Sequence, residues 1–162
     1  MQKVIEMFNY PNAHYIKDNI WLGNTYSSLD NDFLKKNNIK VIINCSKHLD
    51  FINDDKYIKI RIPIDDDLRI KSNQDMFNEY ITNIPKIVKF TRKQMPILIH
   101  CRAGMQRSAS VISAYLINKY NSTIEKTIEF IHSKRKIAFF PGPNFNVALI
   151  MYNNYCKNNV NK

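Results

Sequence analysis

Residues 97–117, ILIHCRAGMQRSASVISAYLI, run from an unbroken apolar segment through a short turn into an apolar-rich helical segment, with a cysteine at the junction. Four consecutive apolar or β-branched positions leave a strand no polar face, so MPILIHC predicts a strand buried in a sheet covered on both sides. A turn of six residues through Gly104 and Arg107 then delivers the chain to a helix that departs from Ser108. Any fold for this chain has to accommodate that strand–turn–helix unit.

The rest of the chain repeats the alternation. HYIKDNIWLGN reads as two short β segments closed by Gly23 and Asn24, and SLDNDFLKKNNI as one short helix capped by Ser27 or Ser28, with Leu29, Phe33 and Leu34 on one side. KVIINC is a second unbroken apolar strand; YIKIRIPI alternates, and Pro63 disfavours further pairing. From Ser72, residues Met76, Phe77, Tyr80, Ile81, Ile84, Ile87 and Val88 recur at helical spacing, and Pro85 is expected to kink that helix near Ile81. Ser122 with Glu125 spells a capping box before a helix carrying Ile124, Ile128 and Ile131. A last helix is expected to start near Asn144, with Phe145, Leu149, Tyr152 and Cys156 on one face. Alternating strands and helices predict an α/β fold: a single domain over residues 1–162, with a central, mostly parallel sheet covered by helices on both faces.

At 162 residues such a domain buries roughly 70% of its unfolded surface, enough to hold together without crosslinks. Cys45, Cys101 and Cys156 are too scattered for a disulfide framework and lack metal-ribbon or CxxC spacing, which predicts an intracellular, cytoplasmic setting and no structural metal. The segment MQKVIEMFNYPNAHY lacks a signal-peptide apolar core, and no apolar run reaches the length of a membrane span. The formal charge of +10 suits an anionic partner, whether phosphorylated protein, nucleic acid or acidic lipid. Lysines outnumber arginines in a chain rich in Asn, Ile and Lys, so solvated lysines from AT-rich coding are the competing explanation. The sequence leaves open whether the chain forms a homodimer.

The turn after Cys101 carries the chemistry. A loop feeding a helix N-terminus points backbone N–H groups inward, a cradle for a tetrahedral anion. Gly104 suits such a turn, since a side chain there would meet positive φ or the ligand. The planar fork of Arg107 can hold two phosphate oxygens. A free thiol with a pKa near 8.5 is only about 3% thiolate at pH 7, and lowering it by roughly three units, about 4 kcal/mol, makes it nearly all thiolate. The helix dipole, the inward amides, Arg107 and the neighbouring His100 are all expected to push that way. A thiolate beneath a bound phosphate is a phosphoryl acceptor.

The stretch HCRAGMQRS resembles the His-Cys-(five residues)-Arg-Ser/Thr signature of the protein tyrosine phosphatase superfamily, and most closely the Cys-based dual-specificity phosphatases, the poxviral H1-type enzymes among them. IWLGNTYSS, VIINCS, SAYLI and PGPNF are similar to further segments of that family, so the resemblance spans most of the chain. It implies Cys101 as nucleophile, with Arg102, Ala103, Gly104, Met105, Gln106 and Arg107 as the phosphate-binding loop. It implies no metal, no cofactor, and phosphorylated proteins as substrates. The family's general acid follows Ile-Pro-aliphatic-X, which selects Asp66 from the run Asp65-Asp66-Asp67, with its two neighbours as alternatives. Ser108 either donates to the Cys101 sulfur or simply caps the helix, and both roles are compatible. His100 is expected to support the loop through a hydrogen bond. Asn144 either braces the loop, as the resemblance implies, or serves as core or cap.

Three alternatives stand beside this reading. A phosphoinositide phosphatase usually places lysines inside the loop, where this chain has Arg102, Met105 and Gln106. An RNA 5′-phosphatase rests mainly on net charge. A catalytically silent phosphate-binding module would commonly lack one of Cys101, Arg107, Ser108 or the acid. INCSKH also resembles a cysteine-bearing strand of the tensin-related phosphatases, which makes Cys45 either a redox partner for Cys101 or a small buried hydrophobe.

Overall fold

The computed structural model describes residues 10–159. Residues 1–9, which make up most of the segment read for a leader, and 160–162 of the polar tail lie outside them. Among the described residues five strands form one sheet: β1 (Ala13–Lys17), β2 (Ile20–Gly23), β3 (Val41–Asn44), β4 (Ile58–Arg61) and β5 (Ile97–His100), in the order β1-β2-β5-β3-β4. Only β1 and β2 pair antiparallel; β2–β5, β5–β3 and β3–β4 are parallel. The β1–β2 turn has Asp18 at φ 54° and Asn19 at φ 63°, the paired left-handed conformation that matches strand twist in a two-residue hairpin. The Asp18 carboxylate accepts from the Tyr115 and Tyr120 hydroxyls at 2.7 and 2.6 Å, which pins the hairpin to a helix of the next layer.

The helices are α1 (Thr25–Leu29), α2 (Asn31–Lys36), α3 (Ile70–Arg92), α4 (Arg107–Tyr120), α5 (Ile124–Lys134) and α6 (Asn146–Asn159). Strand parity sorts the core into two faces. Val41, Ile43, Ile97 and Ile99 point to the larger cluster with Met76, Tyr80, Ile84, Val111, Tyr115 and Leu149, under α3, α4 and α6. Ile42 and Leu98 point the other way, to Leu34, Ile39, Ile52 and Tyr57. Both faces are therefore covered, though the second by one short helix and a loop. All four residues of β3 and of β5 are buried, as their unbroken apolar spelling requires. No helix among the described residues is long and apolar enough to cross a membrane.

Several local expectations need correction. The segment expected as one helix capped by Ser27 or Ser28 is two helices. Asn24 Oδ1 accepts from Ser27 N, and Asp30 Oδ1 accepts from the amides of Asp32 and Phe33, so Asn24 and Asp30 are the caps. Ser27 and Ser28 are buried within α1 and donate back to the carbonyls of Asn24 and Thr25, the usual bonding of a serine hydroxyl inside a helix. The cap of α5 is Thr123, whose hydroxyl accepts from Lys126 N at 3.2 Å, and not Ser122 one residue earlier. Helix α3 begins at Ile70, two residues before Ser72, and runs 23 residues with Pro85 inside it. Its packed face, with Met76, Tyr80, Ile84 and Ile87 fully covered, holds it together across the missing donor.

Loops following β2, β5, β3 and β4 all emerge at the carboxyl edge of the parallel strands, where an α/β sheet opens a crevice. There the backbone approach is tight. Gly104 has φ +65°, and a Cβ on it would lie 2.6 Å from Gly23 O and 2.7 Å from Gly23 C. Left-handed backbone and a rigid neighbour both exclude a side chain. Gly104→Ala is expected to destabilise the protein by about 1–3 kcal/mol, read as a lower urea midpoint; an unchanged midpoint would show that the loop has room to shift.

Candidate active site

The loop between β5 and α4 turns its carbonyls outward, and each has a donor. Arg102 O accepts from Thr25 N at 3.1 Å and Met105 O from Phe139 N at 2.7 Å. Ala103 O and Gly104 O accept from Nη2 and Nε of Arg135 at 3.1 and 2.9 Å. Peptide units whose oxygens are held outside present their N–H groups inside, the geometry of an anion nest. Sequence reading missed Arg135. Its side chain is fully buried and also donates from Nη1 to Pro11 O at 2.8 Å. Burial pulls its pKa down to about 10, which leaves it charged at neutral pH. In the basic run Lys134-Arg135-Lys136 nothing marks the middle residue, because its partners lie some thirty and more than a hundred residues away in the chain.

The Cys101 Sγ sits at the floor of this nest, 3.1 Å from Ser108 Oγ. Burial alone would raise its pKa, but the Ser108 hydroxyl and amide, the Arg107 charge and the Met105 amide outweigh it, and the net shift is down. Cys45 is the control built into the same sheet. It follows β3 beside Cys101, with its N–H donating to His100 O at 2.7 Å, and both thiols are buried and unpaired. With no such donors, burial pushes the Cys45 thiol well up.

His100 corrects one expectation. Burial drives its pKa down to about 4, so at neutral pH it carries no charge and cannot help ionise Cys101 electrostatically. Its Nδ1–H donates to the Cys101 carbonyl at 3.3 Å, consistent with a purely hydrogen-bonding support of the loop entry.

Arg107 Nη1 donates to Ile64 O at 3.2 Å, and Nε lies 3.9 Å from Asp66 Oδ2, so the guanidinium bridges the Cys101 loop and the loop after β4. The three consecutive carboxylates separate by partner. Asp65 pairs with Lys47 at 2.7 Å and Arg69 at 3.3 Å, and Lys47 chiefly holds its carboxyl below the usual range. Asp67 is held below that range by the Ser72 hydroxyl and by Arg69, whose guanidinium lies 2.7 Å away. Asp66 instead accepts from the neutral amide of Asn144, Nδ2 to Oδ1 at 3.0 Å. Asn144 thus meets the carboxylate loop with its side chain, while its backbone N–H donates to Gln106 Oε1. Arg102 is exposed on the rim, Met105 partly buried, and Gln106 buried with its side chain turned away from the nest.

The cleft between the Cys101 loop and the loop after β4, lined by Lys47, His48, Asp65, Asp66, Arg102 and Arg107 among others, is small, about 110 Å³. A larger groove of about 560 Å³ lies between α3, α4 and α6, and none of these groups reaches it. Among the described residues no cluster of three or more His, Cys, Asp or Glu side chains is placed to hold a metal ion.

A family model described as dual specificity phosphatase, catalytic domain, matches residues 20–155. The AMV078 protein of Amsacta moorei entomopoxvirus is 31% identical over 144 residues, 86% of this chain and 83% of that protein. Protein phosphatase Slingshot of Drosophila melanogaster is 26% identical over 132 residues, 80% of this chain but only 12% of that much longer protein. Among solved structures, human DUSP28 superposes with a TM-score of 0.81 at 20% identity, covering 91% of this chain and 96% of that one. PTPMT1 in complex with PI(5)P gives 0.75 at 18% identity, covering 93% and 99%. The structural likenesses agree on the fold, the family model spans the sheet, the Cys101 loop and the helices that cover them, and on that ground the chain belongs to the Cys-based dual specificity phosphatases.

Proposed function

We propose that the chain is a single catalytic domain that hydrolyses phosphotyrosine and phosphoserine or phosphothreonine in proteins through a phosphocysteine intermediate. The observation that carries this is the geometry around one buried thiol: Cys101 Sγ lies 3.1 Å from Ser108 Oγ at the start of α4, beside a loop whose carbonyls are held outward. These donors shift it toward thiolate, where the buried Cys45 without them is shifted away. A desolvated thiolate under inward amides and a guanidinium is poised to accept a phosphoryl group. Membership of the dual specificity phosphatase family supports the dual specificity. Three free thiols suit a cytoplasmic setting.

In the first step Cys101 Sγ attacks phosphorus, the ester P–O bond breaks, and Asp66 gives its proton to the departing oxygen. Arg107 and the loop amides hold the three equatorial oxygens, where charge develops. In the second step Asp66, now a carboxylate, takes a proton from water as the water oxygen attacks phosphorus. The S–P bond breaks, and the Ser108 hydroxyl stabilises the returning thiolate from 3.1 Å. Asp66 suits this part by position: of the three carboxylates it is the one that lies beside Arg107, with its carboxyl held by the Asn144 amide, whereas Asp65 and Asp67 are held by Lys47 and Arg69.

A panel of phosphotyrosine and phosphothreonine peptides, a phosphoinositide and 5′-triphosphorylated RNA tests the substrate class. The peptides are expected to be hydrolysed and the activity to vanish in Cys101→Ser; turnover of the lipid or RNA alone would overturn the protein-phosphatase reading. Alkylation of Cys101 by iodoacetamide is expected to titrate with a midpoint below that of a free thiol, and a midpoint at or above it would remove the nucleophile. Asp66→Asn is expected to lower kcat/KM on phosphotyrosine peptide by about 100-fold. Asp65→Asn and Asp67→Asn should change it only a few-fold, and a reversed ranking would reassign the acid.

A further inference from the structure

Gln106 lies between Met105 and Arg107, yet its side chain leaves the phosphate loop. A primary amide offers two donor hydrogens and one acceptor oxygen, and here all go to one segment. Nε2 donates to Phe140 O at 3.0 Å and Gly142 O at 2.9 Å, and Oε1 accepts from Asn144 N at 3.0 Å. The side chain does not cap α4, at whose N-terminus it stands, so these three bonds are its whole polar role. It is 5% exposed, and the bonds are largely shielded from water.

The segment it grips is anchored at its two ends by Phe139 and Phe145, both buried in the core, and between them has little else to order it. Residues 139–145 form no helix or strand, Phe139 holds a left-handed φ of 64°, Phe140 is 67% exposed, and nothing would lie within 4 Å of a Cβ on Gly142. Apart from Gln106, its one backbone tie to the Cys101 loop is Phe139 N to Met105 O. The far end of the segment presents Asn144 to Asp66, and that amide is the sole hydrogen-bond partner of the Asp66 carboxyl among the described residues.

We propose that Gln106 is a positioning residue that fixes the Asp66 carboxyl over the leaving oxygen, acting through the 140–144 segment and Asn144. The inference rests on the assignment of Asp66 as general acid. The loop that grips the phosphoryl group and the group that protonates the leaving oxygen are then one hydrogen-bonded unit, set by a side chain of the loop itself. Serine at this position would be too short to span the gap. Glutamate would keep the acceptor but lose both donors and set a charge against two carbonyl oxygens.

A proton donor matters in proportion to how poorly the leaving group departs unaided, so the leaving-group dependence of kcat/KM reads Asp66 placement separately from phosphate binding. Gln106→Ala and Gln106→Glu in the full chain are compared with the parent on aryl phosphates whose phenols range from strongly to weakly acidic, with a phosphoserine peptide as the extreme. The expected loss grows with leaving-group pKa, on the order of tenfold or more larger for the weakest phenol than for the most acidic one. The steeper slope should approach that of Asp66→Asn, and adding Gln106→Ala to Asp66→Asn should not steepen it further. Turnover of the best leaving group shows in the same assay that each variant is folded. An equal loss on every ester would make Gln106 part of phosphate binding alone, and an unchanged slope would make it inert; either overturns the proposal. No turnover by the parent on any ester is a separate result that removes the phosphatase reading and this inference with it.

Discussion

The arrangement at the carboxyl edge depends on where four carbonyl oxygens point. Thr25 N, Arg135 and Phe139 N hold the oxygens of Arg102, Ala103, Gly104 and Met105 outside the loop, which leaves the amides facing the sulfur. Reversing any of these peptides would aim an oxygen at an anion. The downward shift of the Cys101 thiol comes chiefly from the Ser108 hydroxyl and amide and the Arg107 charge, with the Met105 amide of this loop adding to them, because desolvation by itself drives a thiol the other way, as it does at Cys45. A buried arginine at the centre is costly to desolvate, and its charge is offset by peptide dipoles instead of by a carboxylate. A carboxylate in that place would bring a negative charge toward the thiolate and the phosphate.

The second organising feature is the distribution of cations around three adjacent carboxylates. Lys47 and Arg69 occupy Asp65 and Asp67 on the solvent side, whereas Asp66 turns inward to Asn144 and lies near Arg107. Chemically equivalent side chains acquire different roles from their partners. The pairs on Asp65 and Asp67 are exposed and contribute little to stability; their consequence is orientation, since each ties one carboxylate to a cation other than Arg107. Arg61 contributes from the sheet edge by donating to Ser46 O and Leu49 O at 2.8 Å each, which holds the loop that forms the opposite wall.

Much of this was legible in the sequence because it is local. Unbroken apolar runs at β3 and β5 announce strands with no solvent face, and both are buried at every residue. The spacing from Cys101 to Arg107 and Ser108 lies within one turn and its helix, so the strand–loop–helix geometry brings those groups together with few alternatives. Asp66 was singled out only by the family resemblance of the Ile-Pro-Ile-Asp that precedes it, since a run of three aspartates contains no periodic signal. Helix caps failed where neighbouring polar residues compete: Asn24 and Asp30 against Ser27 and Ser28, Thr123 against Ser122. Which one lies just outside the helix is decided by where packing starts the first turn.

The sequence by itself determined the layering of the fold, the buried strand that ends in a thiol, and the turn that gathers amides, glycine and arginine around it, because these follow from periodicity and from contacts a few residues apart. Only the tertiary structure decided that Arg135 holds the loop from outside, that His100 is neutral, that the three aspartates part company, and that Gln106 reaches the segment bearing Asn144. Each of these depends on burial or on partners from distant parts of the chain. Desolvation and long-range hydrogen bonding exist only once the sheet has brought those loops to one edge, so no residue type or spacing encodes them in advance.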